Sequence, residues 1–406
     1  MRDRKWVLFA TILGAAGILL AWGSAAGAAE PVKIGLPLPL TGIHAKFGEA
    51  IRNAYVLALD EINAAGGIRK GPMQGRKIEF ILEDTTSKPE VARSAVEKLI
   101  ARDKVPMIVG EYSSSNVFAV AGVTNKFEVP YLSQTGAADN ITEQGWKWIY
   151  RINQPASEYA GGLQDFLLTV VKPKSMAILF ENTLFGTSLS KAVQAWTKEV
   201  GIEVTNFEPY EAGGIDFKPM LLKVKAKNPD VVFMVSYLMD AMLLMRQSKE
   251  LDINPKIFAG GAAGFTMPEF IEGARGAAEF VYSATLWAPD VKYPGAREFY
   301  DKYFKKYGVH PEYHSTEGYA AAYVLRDVLE RTASLKNEDL REALAQTDLM
   351  TAFGPIKFVS YKKFTNQNRL PTLVVQIQKG KLVTVWPKEF AATDFLYPVP
   401  KWAERK

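Results

Sequence analysis

The chain has 406 residues, no cysteine and a formal net charge of +5. Its length allows two domains with well-buried cores, and without cysteine it can form neither a disulfide nor a cysteine-linked lipid anchor. Lysine and arginine are scattered among acidic residues, which argues against a nucleic-acid partner.

Residues 1–29 are predicted to be a cleaved secretory signal. Three of the first five residues are basic, residues 6–20 are mostly apolar, and residues 24–29 are small. The apolar run is short for a membrane span and leads directly into small residues, which favours cleavage after Ala28 or Ala29. An uncleaved anchor is the alternative interpretation. Export without disulfides predicts a periplasmic protein that relies on its hydrophobic core.

Strands and helices are then predicted to alternate through a first unit. The apolar residues of its first helix recur on one face, and Gly66-Gly67 ends that helix. Ser87-Lys-Pro-Glu90 predicts a capping box at the start of the second helix. The predicted elements are strands at 32–38, 77–82, 107–109 and 129–132 and helices at 47–64, 87–99 and 117–126.

The turn after the third strand is the most informative segment of this unit. The apolar strand ends at Gly110, three serines follow at 113–115, and a helix is predicted from Val117. The first N–H groups of a helix have no internal partner and its dipole favours negative charge, so this turn can hold an anion. In open α/β sheets, ligands bind beyond the carboxyl ends of the strands, where this turn lies. An N-cap formed by one serine is the alternative.

The alternation restarts in a second unit after Tyr150-Arg-Ile-Asn153. Its predicted elements are strands at 176–180, 202–207, 231–235 and 256–259 and helices at 189–200, 216–224 and 240–251. A mostly helical section follows at 294–332, and strands at 373–378 and 382–386 around Lys379-Gly380 predict a hairpin. The repeated strand–helix order predicts an α/β fold with parallel sheets and helices on both faces.

Several short segments along the chain carry a family likeness. These are Leu40-Thr-Gly42, Phe47-Gly48, Asp60–Ile68, Glu83-Asp84, Gly110–Asn116, Asp216-Phe217, Pro229–Phe233, Thr316–Ala321 and Gly354–Phe358. In this order they resemble type I periplasmic solute-binding proteins, most closely the branched-chain amino acid (leucine-binding) family that serves ABC importers. The likeness covers nearly the whole chain after residue 29.

The resemblance implies two Rossmann-like lobes joined by a three-strand hinge, with a small-molecule solute held between them. The first lobe is expected at 30–152 plus 286–360 and the second at 153–285 plus 361–406. Hinge closure around the solute is expected to create the surface recognised by an inner-membrane ABC permease with its cytoplasmic ATPase. The resemblance also implies a monomer without cofactor, metal or enzymatic activity.

The resemblance assigns candidate ligand-binding residues in the first lobe. Phe47 stands where the family often has an aromatic wall beside the ligand, and a buried core aromatic is the alternative. Tyr112, Ser113 and Ser114 match the ligand-binding strand end, and we expect the Ser114 hydroxyl to hold a carboxylate.

Further candidates come from the next first-lobe loop and from the second lobe. Thr135, Gly136 and Ala137 match a loop in which the family commonly has a hydroxyl residue at the position of Ala137, so here a backbone N–H is left to serve. Phe185 and Tyr237 match second-lobe aromatics that cover the ligand, and ordinary packing is the alternative for Phe185.

The main departure from the family pattern lies at Ala259–Gly264. Amino-acid binders of the family have an acid near the position of Ala262 that pairs with the ligand ammonium, and no acid lies in this stretch. A buried ammonium without a carboxylate costs on the order of several kcal/mol. Glu111, Glu158 or Asp240 are the acids that could replace it from elsewhere. We therefore expect a carboxylate-binding site that suits an apolar or aromatic carboxylate, or an amide, better than a standard amino acid.

An enzyme is the first alternative class, and the motifs argue against it. His310 and His314 have the i, i+4 spacing of metal ligands, but Pro311 disturbs a helix there and no third ligand is evident. Ser113 lacks the glycine-flanked nucleophile elbow, and the glycine-rich stretch at 66–75 lacks the phosphate-loop lysine.

The second alternative is a receptor module that senses a solute without importing it. The same fold serves both roles, so the fold does not decide between them.

Overall fold

The computed structural model describes residues 30–405, so the predicted signal at 1–29 lies outside the described residues. The first elements are β1 (Val32–Leu38), α1 (Ala45–Ala64), β2 (Ile78–Asp84), α2 (Pro89–Ala101), β3 (Ile108–Val109), α3 (Ser114–Lys126), β4 (Tyr131–Ser133), α4 (Asn140–Glu143), β5 (Ile149–Arg151), α5 (Ala156–Tyr159) and α6 (Gly161–Phe166), which continues as a π-helix (Leu167–Val171).

The middle of the chain repeats this alternation. Its elements are β6 (Ser175–Glu181), α7 (Leu184–Val200), β7 (Glu203–Tyr210), α8 (Lys218–Lys227), β8 (Val231–Val235), α9 (Leu238–Glu250), β9 (Ile257–Gly260), α10 (Pro268–Ala274) and β10 (Tyr282–Thr285). The last elements are α11 (Ala296–Tyr307), α12 (Tyr313–Arg331), α13 (Asn337–Ala345), β11 (Asp348–Thr351), β12 (Gly354–Lys357), β13 (Val359–Tyr361), β14 (Phe364–Gln367), β15 (Leu373–Gln378) and β16 (Lys381–Trp386).

Two seven-stranded sheets form the centres of two lobes. The first has the strand order β13-β14-β5-β4-β3-β1-β2 and the second β16-β15-β10-β9-β8-β6-β7. Strands β1 to β5 are parallel within the first sheet, and β6 to β10 within the second. This confirms the predicted α/β fold with two lobes. The sheets are mixed rather than purely parallel, because β13 runs antiparallel to β14 and β15 runs antiparallel to both β10 and β16.

Each sheet reverses its strand order at one point, and these points position the site. In the first sheet β1 lies between β2 and β3, and in the second β6 lies between β7 and β8. Helices on either side of such a reversal diverge and leave a crevice at the carboxyl ends of the strands, which is where ligands of this architecture bind. The turns after β3, β6 and β8 therefore meet the crevice.

Within residues 30–405 the chain passes between the two sheets three times. The passages follow β5, β10 and β14, since the strands on either side of each belong to different sheets. The predicted boundary at residue 360 does not agree with the last passage, because Gln367 of β14 pairs with Arg151 in the first sheet. Short strands such as β13 and β14 carry too few residues for the sequence pattern to locate them.

Most longer elements lie within a few residues of their predicted positions, but the predicted capping box is wrong. Lys88 is the N-cap residue of α2 and makes no side-chain capping bond. The Ser87 side chain instead accepts a hydrogen bond from the His44 N–H at 3.1 Å and donates one to the Thr41 carbonyl at 2.7 Å. Ser87 thus ties the loop before α1 to the start of α2.

Helix α12 is the central helix of the first lobe. Nearly every residue of its first three turns is buried, and it packs along α1. An amphipathic face of α1 supplies the other side, with Ile51, Ala54, Ala58 and Ile62 buried. This packing fixes the start of α12, at Tyr313 and His314, close to the crevice. None of the helices in residues 30–405 is long and apolar enough to span a membrane.

Candidate ligand-binding site

A small cavity lies between the carboxyl ends of the two sheets. Its volume is about 20 Å³, enough for one water molecule, so the lobes are closed on each other. It is lined by Tyr112, Ser114, Thr135, Gly136, Ala137, Asn153, Tyr159, Phe185, Tyr237, Ala263, Tyr313 and His314. The lining comes from both lobes, from the first passage between them and from the start of α12.

Seven of the ten predicted site residues line this cavity, and three do not. Phe47 is buried outside the cavity lining, as the core-packing alternative describes. Its ring stacks on that of Tyr112, with the centroids 4.3 Å apart. Ser113 lies behind Ser114 as the cap of α3, and Ala262 is next to the lining residue Ala263. That the seven lining residues bind a ligand stays a prediction.

The sequence interpretation missed five lining residues: Asn153, Tyr159, Ala263, Tyr313 and His314. The rule that ligands bind beyond strand ends could have found Asn153, because it follows β5 directly. Tyr159, Tyr313 and His314 belong to helices, and no strand-end signal marks them.

The three serines at the start of α3 have different roles. Ser113 is the N-cap, and its side chain accepts the Asn116 N–H at 3.4 Å. The Ser114 oxygen accepts the Ala138 N–H at 3.1 Å, which leaves its hydroxyl hydrogen to donate elsewhere. Because Ser114 lines the cavity, that hydrogen and the orphan N–H groups of the first turn can serve an anion there. The capping alternative thus describes Ser113 and not Ser114.

The carboxyl group of Glu111 is buried beside the start of α3, outside the cavity lining. It is fully buried and accepts hydrogen bonds from the Thr85 hydroxyl, the Tyr112 N–H and, at 3.2 Å, the Asn116 side-chain amide. Burial raises the pKa of Glu111 to about 7, although these donors oppose the rise. The start of α3 therefore holds an internal acid on one side and faces the cavity on the other.

Positive backbone φ angles occur at both sides of the cavity. Glu111 has φ +62°, and the consecutive Ala262 and Ala263 have +61° and +47°. Such conformations are unfavourable for residues with a side chain and cluster at functional sites. At Gly110, with φ +116°, a Cβ atom would lie 2.8 Å from the Pro37 carbonyl oxygen, so the turn requires glycine.

Arg151 holds the loop that carries three of the lining residues. Its fully buried guanidinium donates to the carbonyls of Gly136 at 2.9 Å and Ala138 at 2.7 Å. It also donates to Thr142 and Gln367, so all four bonds go to neutral acceptors. Burial lowers the pKa of Arg151 to about 10, which still leaves it charged at neutral pH. The arginine fixes the loop and links β5 to β14.

Aromatic rings close the cavity across the two lobes. The ring of Tyr237, the N-cap residue of α9, lies 4.4 Å from the His44 ring and 5.7 Å from the Tyr112 ring, measured between centroids. Phe185 lies 5.9 Å from Tyr237 on the second-lobe side. Burial lowers the pKa of His44 to about 4, so its ring is neutral at physiological pH.

A buried carboxyl group, that of Glu181, holds the backbone of Tyr237, and the buried acid Asp240 lies beside Glu181. Glu181, at the end of β6, accepts a hydrogen bond from the Tyr237 N–H. Burial, with a contribution from nearby Asp240, raises the pKa of Glu181 well above its usual range. Neither acid lines the cavity.

No carboxylate, lysine or arginine among the described residues lines the cavity. The three acids considered as partners for a ligand ammonium lie elsewhere. Glu111 lies beneath α3, Glu158 accepts from the Tyr361 hydroxyl at 2.8 Å, and Asp240 accepts from the Gly213 N–H at 3.0 Å. The lining thus offers hydroxyls, backbone N–H groups, an amide and one imidazole.

The two histidines of the suspected metal pair have separate partners. The His310 Nδ1 atom lies 2.6 Å from the Tyr300 hydroxyl, and the His314 Nδ1 atom lies 2.6 Å from the Glu312 carboxylate. Within residues 30–405, no three side chains of the metal-binding types come together.

Comparison with known proteins identifies the family. A family profile described as periplasmic binding protein matches residues 31–381. "Leu/Ile/Val-binding protein homolog 7" of Brucella suis is 28% identical over 388 residues, which cover 92% of this chain and 96% of the relative.

Solved structures show the same fold. The substrate-binding protein LivJ of Streptococcus pneumoniae, in complex with isoleucine, matches with a TM-score of 0.79 at 24% identity and covers 88% of this chain and 100% of its own. A solute-binding protein of R. palustris, in complex with benzoate, matches with a TM-score of 0.77 at 18% identity, covering 87% and 95%. The chain therefore belongs to the periplasmic binding protein family.

Proposed function

We propose that the protein captures a small apolar or aromatic carboxylate, or the corresponding amide, between its two lobes and delivers it to the permease of an ABC importer. Two features of the cavity together carry this proposal. The Ser114 hydroxyl hydrogen is available to donate into the cavity, and no acidic residue lines the cavity among the described residues. The hydroxyl suits a carboxylate or amide oxygen, whereas a ligand ammonium would be buried without a counter-charge.

The relatives support a shared carboxylate end. Isoleucine and benzoate, the ligands named for two similar structures, both carry a carboxylate, but only isoleucine carries an ammonium group. The aromatic wall of Tyr112, Phe185 and Tyr237 suits a flat or apolar body. This lining therefore favours the benzoate-like class over the amino-acid class.

The lobes, the partner and the location complete the proposal. We place the first lobe at 30–152 plus 286–367, where the second range now includes β14, and the second lobe at 153–285 plus 373–405. Closure of the hinge presents both lobes to an inner-membrane permease with its cytoplasmic ATPase. We further propose that the protein acts as a monomer in the periplasm after removal of residues 1–29.

Calorimetric titration of the protein from Glu30 onwards tests the ligand class. We expect binding of benzoate and 4-methylpentanoate, with leucine binding more weakly than the latter, its deaminated counterpart. Leucine and 4-methylpentanoate have the same carbon skeleton, so their difference isolates the ammonium group. Tight binding of leucine or valine together with no binding of the deaminated acids would contradict the proposal.

A further inference from the structure

A second, much larger cavity adjoins the candidate ligand site. Its volume is about 400 Å³, within the range of small-molecule sites, whereas the volume of the ligand cavity is about 20 Å³. Tyr313 lines both spaces and is the partition between them. We call this second cavity the side chamber and define it by Ile271, Trp287, Tyr300, His310, Tyr313 and Leu382.

The walls of the side chamber come from both lobes. Ile271 lies on α10, and Leu382 lies in β16 beside the hairpin turn, both in the second lobe. Tyr300 of α11 and His310 of the following loop come from the first lobe, and Trp287 lies in the passage after β10. A molecule in the chamber would contact both lobes and the hinge, as a solute that stabilises closure must.

Most of the chamber surface is apolar, although Thr266, Glu312 and Lys381 also line it. The Trp287 Nε1–H donates to the Ala352 carbonyl at 2.9 Å, and the Tyr300 hydroxyl and the His310 Nδ1 atom bond each other at 2.6 Å. The Trp287 N–H, the Tyr300 hydroxyl and the His310 Nδ1 atom thus have partners, and the ring surfaces are left for an apolar guest. Glu312 also reaches the chamber, but its carboxylate already accepts the N–H groups of His314 and Ser315.

The partition is held by two hydrogen bonds. The Tyr313 hydroxyl lies 2.7 Å from the Tyr159 hydroxyl and accepts the Ala263 N–H at 3.2 Å. Tyr159 and Ala263 line the ligand cavity, so a solute bound there can compete for the polar groups that hold the Tyr313 ring.

We propose that the side chamber receives the distal part of an elongated solute whose carboxylate lies at Ser114, so that the natural ligand is an arylalkanoic or similar long-bodied carboxylate. This inference rests on the proposed function and narrows its ligand class. A short acid stays at the Ser114 site between the lobes, while a longer one passes Tyr313 and gains the apolar surface of the chamber.

Calorimetry with benzoate, phenylacetate, 3-phenylpropionate and 4-phenylbutyrate tests the chamber. Wild-type protein should bind 4-phenylbutyrate at least about tenfold more tightly than benzoate, which is the gain expected if only one of its three additional methylenes is fully buried in an apolar pocket. Leu382→Trp fills the chamber from a half-buried position and should remove this gain while leaving benzoate binding unchanged. Ile271→Trp is a second chamber-filling variant from another element, and Leu222→Trp, at an exposed site on α8, is the matched control.

The possible outcomes separate the two proposals. Binding of short acids without an increase in affinity along the series would overturn the proposal for the side chamber and leave the proposed function intact. The same holds if both chamber-filling variants retain the increase in affinity. Absence of binding for every acid, short and long, would overturn both. The melting temperature of each variant shows whether it is folded. If one chamber-filling variant does not fold, the other provides the test.

Discussion

The hydroxyl oxygen of Ser114 accepts the backbone N–H of Ala138 at 3.1 Å, so the two first-lobe turns that line the cavity are bonded to each other. The bond orients the serine, because a hydroxyl that accepts from one side must donate its single hydrogen to another acceptor. The Arg151 guanidinium donates a hydrogen bond to the Ala138 carbonyl at 2.7 Å and so also holds the Ala138 backbone in position. The donor that faces the cavity is therefore held in place before a solute arrives.

Replacing Ser114 by alanine should weaken binding of any carboxylate solute by ~1–3 kcal/mol, because a charged acceptor then loses a hydrogen-bond donor in a buried site. Calorimetric titration of the variant measures the change. Ser115→Ala, one position further along α3 and outside the cavity lining, is the matched control. Equal affinity of Ser114→Ala and wild type, or an equal loss in both variants, would exclude the assigned role.

Glu111 should make the protein less stable as the pH rises. Its pKa is raised from 4.5 to about 7 by burial, so the folded state favours the protonated form. Stability from this group is fully present below pH 4.5 and is lost as the pH rises through about 7. The loss is on the order of 3 kcal/mol, because one pKa unit corresponds to about 1.4 kcal/mol. Burial raises the pKa of Glu181 as well, which adds a contribution of the same sign.

Urea denaturation between pH 4.5 and 8 measures this slope in wild type and in Glu111→Gln. The glutamine variant should show a flatter profile, because an amide of the same shape has no proton to lose. Glu199→Gln, at an exposed site on α7, should retain the wild-type slope. A Glu111→Gln profile parallel to that of wild type would show that another group sets the pH dependence.

Residues at strand ends could be predicted from the sequence, because a βαβ pattern determines which end of a strand meets the crevice. Tyr112, Ser114 and Tyr237 follow strands β3 and β8 in this way. Tyr313 and His314 begin a helix of the first lobe, and their place in the cavity depends on how α12 packs along α1. Such a helix-to-helix position depends on tertiary packing, which no local pattern encodes.

The sequence also does not predict in which direction an individual side chain points. An acid at position 111 is visible in the sequence, and it was considered as a partner for a ligand ammonium. The positive φ of Glu111 turns its side chain under α3, where it takes donors from Thr85 and Asn116. Backbone conformations of this kind are uncommon outside glycine, so propensity does not predict them.

Replacing Tyr237 by alanine should shift the ligand-free protein toward an open arrangement of the lobes. Its ring contacts His44 and Tyr112 of the opposite lobe, and aromatic pairs of this kind contribute about 0.5–1.5 kcal/mol each. Small-angle X-ray scattering should show a larger radius of gyration for the variant. Met239→Ala, two residues further on and exposed to solvent, should leave the radius unchanged. Identical scattering of Tyr237→Ala and wild type would show that other contacts keep the lobes closed.

Replacing Arg151 by methionine should reduce both stability and affinity. The substitution leaves the carbonyls of Gly136 and Ala138 without their buried donors, and each such group costs about 1–3 kcal/mol. We therefore expect a loss of at least about 2 kcal/mol in urea denaturation, against little change for Arg102→Lys on the surface. Affinity should fall as well, because the loop from Thr135 to Ala138 would no longer hold Ser114 in its donating orientation. A stability loss with unchanged carboxylate affinity would show that the loop needs no support from Arg151 to bind the solute.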